Sequence, residues 1–229
     1  MATLVELAEL CDAVYGDDVI ATTDLKGGGK ACWSRTQRWT DGNFFAALYA
    51  KKGGSAVLAF RGTDDAVDVL MDDSDIAIGQ VPPSASDAVR VAGGISTGNV
   101  LLTGHSLGGA LAIIAAARYG FAAVTFNAPG VMNSCVVANA FSSATKNGLS
   151  GLIALAGRCF TGSRMINIRI DGDAVSSALT AVLSLSLQPG GAKSNPAPQC
   201  GLDLLCRHSM STCIAAVESR KDGYQEVSF

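Results

Sequence analysis

The sequence has only two histidines in 229 residues, His105 and His208. A metal site built from three imidazoles is therefore impossible, and any histidine acting as a catalytic base must be one of these two. Charge is sparse as well: Asp, Glu, Lys and Arg make up 16% of the chain, and 17 Lys and Arg against 20 Asp and Glu leave a formal charge of −3. Without a basic surplus to neutralise a phosphate backbone, the chain is a poor partner for nucleic acid. Long apolar runs are also missing, because 107–117 stops at Arg118 and 174–187 is broken by serines and threonines. Neither reaches the ~18–20 apolar residues of a membrane span. No basic n-region accompanies the apolar residues of 1–10, which share helical spacing with acidic ones. This stretch reads as a folded helix and not as a signal peptide, which leaves open a cytoplasmic protein, one exported without a cleaved signal, or a mature secreted form.

The seven cysteines, Cys11, Cys32, Cys135, Cys159, Cys200, Cys206 and Cys213, contain no CxxC spacing, which disfavours a zinc site or a thioredoxin-like motif. An odd number cannot all pair within one chain. Buried free thiols are the simplest reading, since free Cys behaves as a small core residue. One or two disulfides, with Cys200–Cys206 the first pair to consider, are the alternative.

At 48% apolar, 229 residues suffice for one well-filled core, so 1–229 is expected to be a single domain. Twenty-six glycines and a mean hydropathy of +0.31 predict a compact, tightly turned chain. From about residue 43, strand-like and helix-like runs alternate, the pattern of an α/β sheet. Residues 43–50 and 55–61 flank Gly53-Gly54 and predict an antiparallel hairpin at the N-terminal side of the sheet. The apolar runs 99–103, 121–126 and 165–170 each precede a turn signal and a helical pattern, as buried parallel strands do. Helices are expected at 84–91, opened by Pro82-Pro83 and a Ser84 N-cap, and at 107–119, 174–187 and 208–221, so that helices cover both faces. Residues 188–198, rich in Pro and Gly, read as a surface loop.

Gly104-His105-Ser106-Leu107-Gly108 is a G-x-S-x-G pentapeptide between a predicted strand and an Ala-rich helix. A nucleophilic serine needs a sharp turn that exposes Oγ, and small residues around it let strand and helix approach. The helix beginning there points free N–H groups and its positive dipole end toward the site. His105 neighbours Ser106 directly, and adjacent side chains on an extended turn diverge, so its role is structural. His208 is then the one imidazole able to take the Ser106 proton. To orient that imidazole, Asp171-Gly-Asp173 follows the 165–170 strand. Asp173 is preferred because it lies after the flexible glycine and can reach inward; Asp171 is the alternative. The order Ser, Asp, His is that of α/β-hydrolases. The Leu107 N–H is one expected oxyanion donor, and Thr63, ending Ala59-Phe-Arg-Gly-Thr63, is the other. This chemistry needs no cofactor and no metal.

Taken together, these motifs resemble the class 3 lipases, whose well-known members are fungal triacylglycerol lipases. The resemblance rests on Ala59-Phe-Arg-Gly-Thr63, Thr103-Gly-His-Ser-Leu-Gly-Gly-Ala-Leu-Ala112, Asn127-Ala-Pro-Gly130, Asp173-Ala-Val175 and His208-Ser-Met at the start of a C-terminal helix. It implies an α/β-hydrolase fold, Ser106 as nucleophile, Asp173 and His208 as its partners, and Thr63 with Leu107 as oxyanion donors. Two departures stand out: Val175-Ser-Ser follows the acid where the family commonly has Val-Pro, and 131–164 matches nothing in the pattern.

In that family the segment after the oxyanion donor is an amphipathic lid. Here residues 64–75 carry six aspartates and no basic residue, and as a helix would place Val67, Leu70 and Met71 on one face. The alternative is an ordinary solvated helix. The run lacks the D-x-D-x-D-G spacing that wraps calcium. Residues 148–157 form a second amphipathic stretch, able to cap a cleft or to join the core. The expected function is a serine carboxylester hydrolase that cleaves glycerol esters through an acyl-enzyme at a lipid–water interface. The runner-up is a phospholipase A acting on membranes, exported toxins included, and the remote alternative is a non-catalytic lipid-binding protein.

Overall fold

The structure, a computed structural model, describes residues 1–16, 23–24, 32–63, 82–95, 99–130, 164–173, 175–176, 192–201 and 203–228. Among the described residues, eight strands follow one another across a single sheet in chain order: β1 (Thr23–Asp24), β2 (Cys32–Asp41), β3 (Phe44–Lys51), β4 (Ser55–Phe60), β5 (Val100–His105), β6 (Ala122–Phe126), β7 (Met165–Ile170) and β8 (Ala192–Asn195). Pairing is antiparallel from β1 to β4 and parallel from β4 to β8. The class is therefore α/β, as the alternating pattern predicts.

Successive side chains of a strand point to opposite faces, so a strand buried on both sides must be apolar at every position. In β3, Phe44, Ala46 and Leu48 join one core, while Phe45, Ala47 and Tyr49 join the other. The first core is closed by α2 (Ala85–Gly93) and α3 (Leu107–Tyr119), which pack on each other. The second is closed by α1 (Leu4–Ala13) and α5 (Met210–Glu218). Fully burying side chains such as Phe60 and Phe126 contributes about 1.5–3 kcal/mol each. Among the described residues no helix is long and apolar enough to cross a membrane.

The N-terminal stretch folds as helix α1, fixed by a capping box. Thr3 Oγ1 accepts from the Glu6 N–H at 3.1 Å, and Glu6 Oε2 accepts from the Thr3 N–H at 2.8 Å. The expected hairpin is β3–β4, turned by Gly53 and Gly54 at φ +112° and +90°. It is not the sheet's first element, because β2 pairs outside β3 through a Gly42-Asn43 turn, with Gly42 at φ +54°. Helix α3 and strand β7 occupy the expected residues.

Four expectations need correction. Part of the expected loop 188–198 is β8, a parallel strand paired to β7 with Ile170 opposite Asn195. Its small and polar residues give no alternation signal, and among the described strands it pairs with β7 alone. The expected 208–221 helix is two: α4 (Leu204–His208) ends at His208, and Ser209, extended at φ −67° and ψ 147°, caps α5 by accepting from Thr212 N–H. His208 thus closes a one-turn helix instead of opening the last one. Ser84 precedes α2 but has helical φ and ψ and makes no side-chain cap. Finally, not all the described cysteines are free: Cys200 and Cys206 are bonded to each other, and Cys11 and Cys213 are buried free thiols. The 64–75 lid segment, the 148–157 stretch, Cys135, Cys159 and the 174–187 helix apart from 175–176 lie outside the described residues.

Candidate active site

Strand β5 ends at His105 and α3 begins at Leu107, which leaves Ser106 alone to reverse the chain. It does so at φ 54° and ψ −129°, a conformation that costs a non-glycine residue about 1–3 kcal/mol. The turn is held by the Ser106 N–H donating to the Phe126 carbonyl at 3.0 Å, and by the Ser106 carbonyl accepting from the Gly109 and Ala110 N–H groups. Close approach explains the surrounding glycines. A Cβ on Gly104 would lie 2.3 Å from the Gly108 carbonyl, one on Gly108 2.2 Å from the Phe60 carbonyl, and one on Gly109 2.6 Å from Ala128 Cβ. Strand and helix meet backbone to backbone, and only hydrogen fits between them.

Three of the residues picked out by the sequence meet at this turn. Ser106 Oγ lies 2.9 Å from His208 Nε2, and His208 Nδ1 lies 2.7 Å from Asp173 Oδ1. All three are buried, with Asp173 fully excluded from solvent, and hydrogen bonds strengthen in such a low-dielectric setting. Asp171 is exposed, and its carbonyl accepts from Arg207 Nη1. Of the two acids, the structure sets Asp173 against the imidazole. The second Asp173 oxygen accepts from Ser176 twice, from its N–H at 2.7 Å and its Oγ–H at 2.5 Å. Ser176 stands where the class 3 pattern has proline, a residue with no N–H to give.

Other contacts hold His208 by its main chain. His105 Nε2 lies 2.6 Å from the His208 carbonyl, and Asn127 Nδ2 donates to the Arg207 carbonyl at 3.0 Å. Both carbonyls close α4, where a helix has no partners of its own for them. Asn127 adopts φ 45° and also accepts from the Ile170 N–H through Oδ1, tying the ends of β6 and β7 to the same point. Burial, and secondly the neighbouring His208, push the His105 pKa down from its ordinary 6.5 to about 3, so its ring is neutral. Tyr15 Oη lies 3.2 Å from His105 Nδ1 and accepts from the Gly62 N–H at 3.1 Å.

For an oxyanion, Leu107 is the first residue of α3, and its N–H belongs to the set a helix leaves unpaired. Thr63 is half-buried in the loop after β4. A Cβ on the preceding Gly62 would lie 3.4 Å from Ser106 Cβ, so this loop runs beside the elbow. Tyr15, Asn127 and Ser176 escaped the sequence reading. Asn127 and Ser176 sat within or beside motifs already singled out; Tyr15 carried no local signal.

The Cys200–Cys206 disulfide ties the chain before α4 to that helix, two residues from His208. Burial pushes the Cys11 thiol up to about 12 and raises Cys213 well above its usual range, which keeps both protonated and poor nucleophiles. Among the described residues, no three or more His, Cys, Asp or Glu are grouped to hold a metal ion. A cavity of about 290 Å³ opens beside Val100, Ala122 and Arg164, at the opposite end of the parallel strands from Ser106, and touches none of these groups.

A buried Ser–His–Asp chain of this geometry can deprotonate a serine hydroxyl and return the proton to a leaving group. In comparisons with known proteins, a family model described as phospholipase-like, a Tle-like phospholipase domain, matches residues 6–196. That span includes Thr63, Ser106 and Asp173 and stops before His208. No curated protein matches the chain.

Proposed function

The chain belongs to the Tle-like phospholipase domain family, lipid ester hydrolases of lipase or phospholipase type, and on that premise we propose that it is a serine carboxylester hydrolase working through Ser106, His208 and Asp173. The observation that carries this reading is the unbroken hydrogen-bond path from Ser106 Oγ through both ring nitrogens of His208 to Asp173, made by residues 102 and 35 positions apart. A non-catalytic lipid-binding protein has no need of that path.

In the proposed reaction, Ser106 Oγ attacks the ester carbonyl carbon as His208 Nε2 takes its proton. The carbonyl oxygen becomes an oxyanion in reach of the Leu107 N–H and of Thr63, while Asp173 stabilises the imidazolium and keeps Nδ1 protonated. Collapse breaks the bond to the leaving alkoxide, which receives the proton from His208 Nε2 and departs as the alcohol. Water, deprotonated by His208, then attacks the acyl-Ser106 carbonyl, and the second collapse frees the fatty acid and returns the proton to Ser106.

The substrate we propose is the acyl ester of a glycerophospholipid, favoured by the phospholipase-like match. Triacylglycerol is the second reading, favoured by the class 3 lipase motifs around Gly62, Ser106 and Asp173. Either substrate puts the protein at a lipid–water interface. The strand order, with the acid just after β7 and His208 after β8, supports a single α/β-hydrolase domain.

Ser106→Ala should abolish both p-nitrophenyl ester hydrolysis and labelling by a fluorophosphonate, and turnover retained in that variant would sink the assignment. Phosphatidylcholine vesicles and triolein emulsions assayed side by side separate the two substrates; faster release of fatty acid from triolein would reverse the preference stated here.

A further inference from the structure

We propose that Tyr15 and His105 are positioning residues that lock the loop carrying Thr63 to the backbone of His208, so that oxyanion donor and base move as one unit. This rests on the reading of Ser106, His208 and Thr63 given above. It adds two side chains whose hydrogen bonds reach neither the substrate nor the reacting atoms, while the His105 ring packs on the His208 ring at 4.8 Å between centroids.

The direction of every hydrogen bond in the link follows from one contact. The His208 carbonyl can only accept, so His105 Nε2, 2.6 Å away, must carry the proton. A neutral imidazole has one N–H, and burial keeps this ring neutral, so His105 Nδ1 is a bare acceptor. Tyr15 Oη, 3.2 Å from Nδ1, must then donate its proton to it, which leaves the phenol oxygen free to accept the Gly62 N–H at 3.1 Å. The path thus runs Gly62 N–H, Tyr15 Oη–H, His105 Nδ1, His105 Nε2–H, His208 carbonyl, with no member able to reverse without breaking another.

Independent of these bonds, the space at Gly62 points the same way. A Cβ there would lie 2.5 Å from Tyr15 Oη and 2.7 Å from the His105 carbonyl, so the close seating of loop, phenol and strand requires glycine. The Gly62 N–H is committed to Tyr15 and is not left for an oxyanion, which makes Thr63 the first residue of the loop able to serve. Helix α1 gains a role as well: Tyr15 follows directly on its last turn, and the burial of α1 between sheet and α5 fixes where that phenol stands. Simple packing of Tyr15 would not need the polar end to meet two partners belonging to two different parts of the site.

The test compares Tyr15→Phe, His105→Leu, the Tyr15→Phe/His105→Leu double variant and His105→Gln with the unaltered protein on a soluble p-nitrophenyl ester. Tyr15→Phe should lower kcat about 10-fold with KM within about twofold, and His105→Leu about 100-fold, the range seen when groups that orient a catalytic side chain are removed. The double variant should match His105→Leu alone within about twofold, because both break one path. His105→Gln keeps an N–H donor for the His208 carbonyl and should recover part of the loss. Unchanged kcat in Tyr15→Phe, or losses that multiply in the double variant, would overturn the proposal. Nitrogen-15 spectra of the unaltered protein give a second readout that needs neither activity nor a variant. The His105 ring should show a protonated Nε2 and a bare Nδ1 that do not titrate between about pH 5 and about pH 8. An Nδ1–H tautomer, or titration in that range, would refute the link. A protein with the expected His105 spectrum that neither turns over esters nor reacts with fluorophosphonate would instead overturn the hydrolase reading.

Discussion

Ser176 donates to the same oxygen of Asp173 twice, through its backbone N–H at 2.7 Å and its hydroxyl at 2.5 Å, while the other oxygen faces His208. A carboxylate gripped on one side presents its free oxygen in a fixed direction. Removing the hydroxyl with Ser176→Ala leaves the N–H bond, and a buried hydrogen bond to a charged group is worth about 1.5–3 kcal/mol. The variant should lose stability of that order in urea unfolding and lose kcat more than KM. Ser176→Pro removes both donors and should be the more damaging; equal kcat in the two variants would contradict this account.

Asp173→Asn keeps the shape of the side chain but offers an amide that can donate to Nδ1, which favours the His208 tautomer with the proton on Nε2. That tautomer cannot accept from Ser106 Oγ. The expected loss in kcat is on the order of 10⁴, the scale found when a triad acid is made neutral. Asp171→Asn, at an exposed carboxylate, should hydrolyse p-nitrophenyl esters at close to the original rate.

How much of this was legible beforehand depended on whether the causes were local. Helix α3 and strands β5 and β6 stand out because they are buried on both faces, which forces largely apolar runs, and β7 because Met165, Ile168 and Ile170 are buried in the cores. The Ser106 elbow stands out because backbone contact at Gly104 and Gly108 admits no side chain, a demand written directly into residue type. Strand β2 is polar over much of its length and carries an irregularity between Arg35 and Gln37, so its alternation is broken. Tyr15 reaches Gly62 and His105 across 47 and 90 residues, and no window along the chain contains that relationship. His208 was found by scarcity, since only two imidazoles were on offer. Its place at the end of a one-turn helix was hidden by Ser209, which continues the helical pattern in sequence while breaking it in backbone.

The Cys200–Cys206 bond closes a loop of about seven residues, for which the chain-entropy model gives about 2 kcal/mol. Dithiothreitol, or the Cys200→Ser/Cys206→Ser pair, should lower the unfolding free energy by roughly that amount. Because Cys206 shares α4 with His208, kcat should fall as well. Thiol titration of the denatured protein should gain at least two equivalents after reduction, and no gain would remove the bond from the account.

Acid should destabilise the fold through His105. Its pKa falls from 6.5 to about 3 on folding, chiefly by burial and then by His208, so between those values the unfolded chain binds the extra proton. Stability from this group is complete above pH 6.5 and is lost progressively as the pH falls toward 3. Urea midpoints measured across that window should drop less steeply for His105→Gln than for the unaltered protein; parallel curves would count against a neutral buried ring.

The hydrogen bonds that grip His208 close on its carbonyl and on that of Arg207 and not on the imidazole, although the His105 ring also packs on the His208 ring at 4.8 Å between centroids. Main chain and reactive ring are therefore separable. His208→Gly should keep the α4 terminus seated between β5 and β6, leaving a ring-sized vacancy between Ser106 and Asp173. Free imidazole added to that variant has a ready-made berth, with a hydroxyl at one wall and a carboxylate at the other, and should restore turnover in proportion to its concentration.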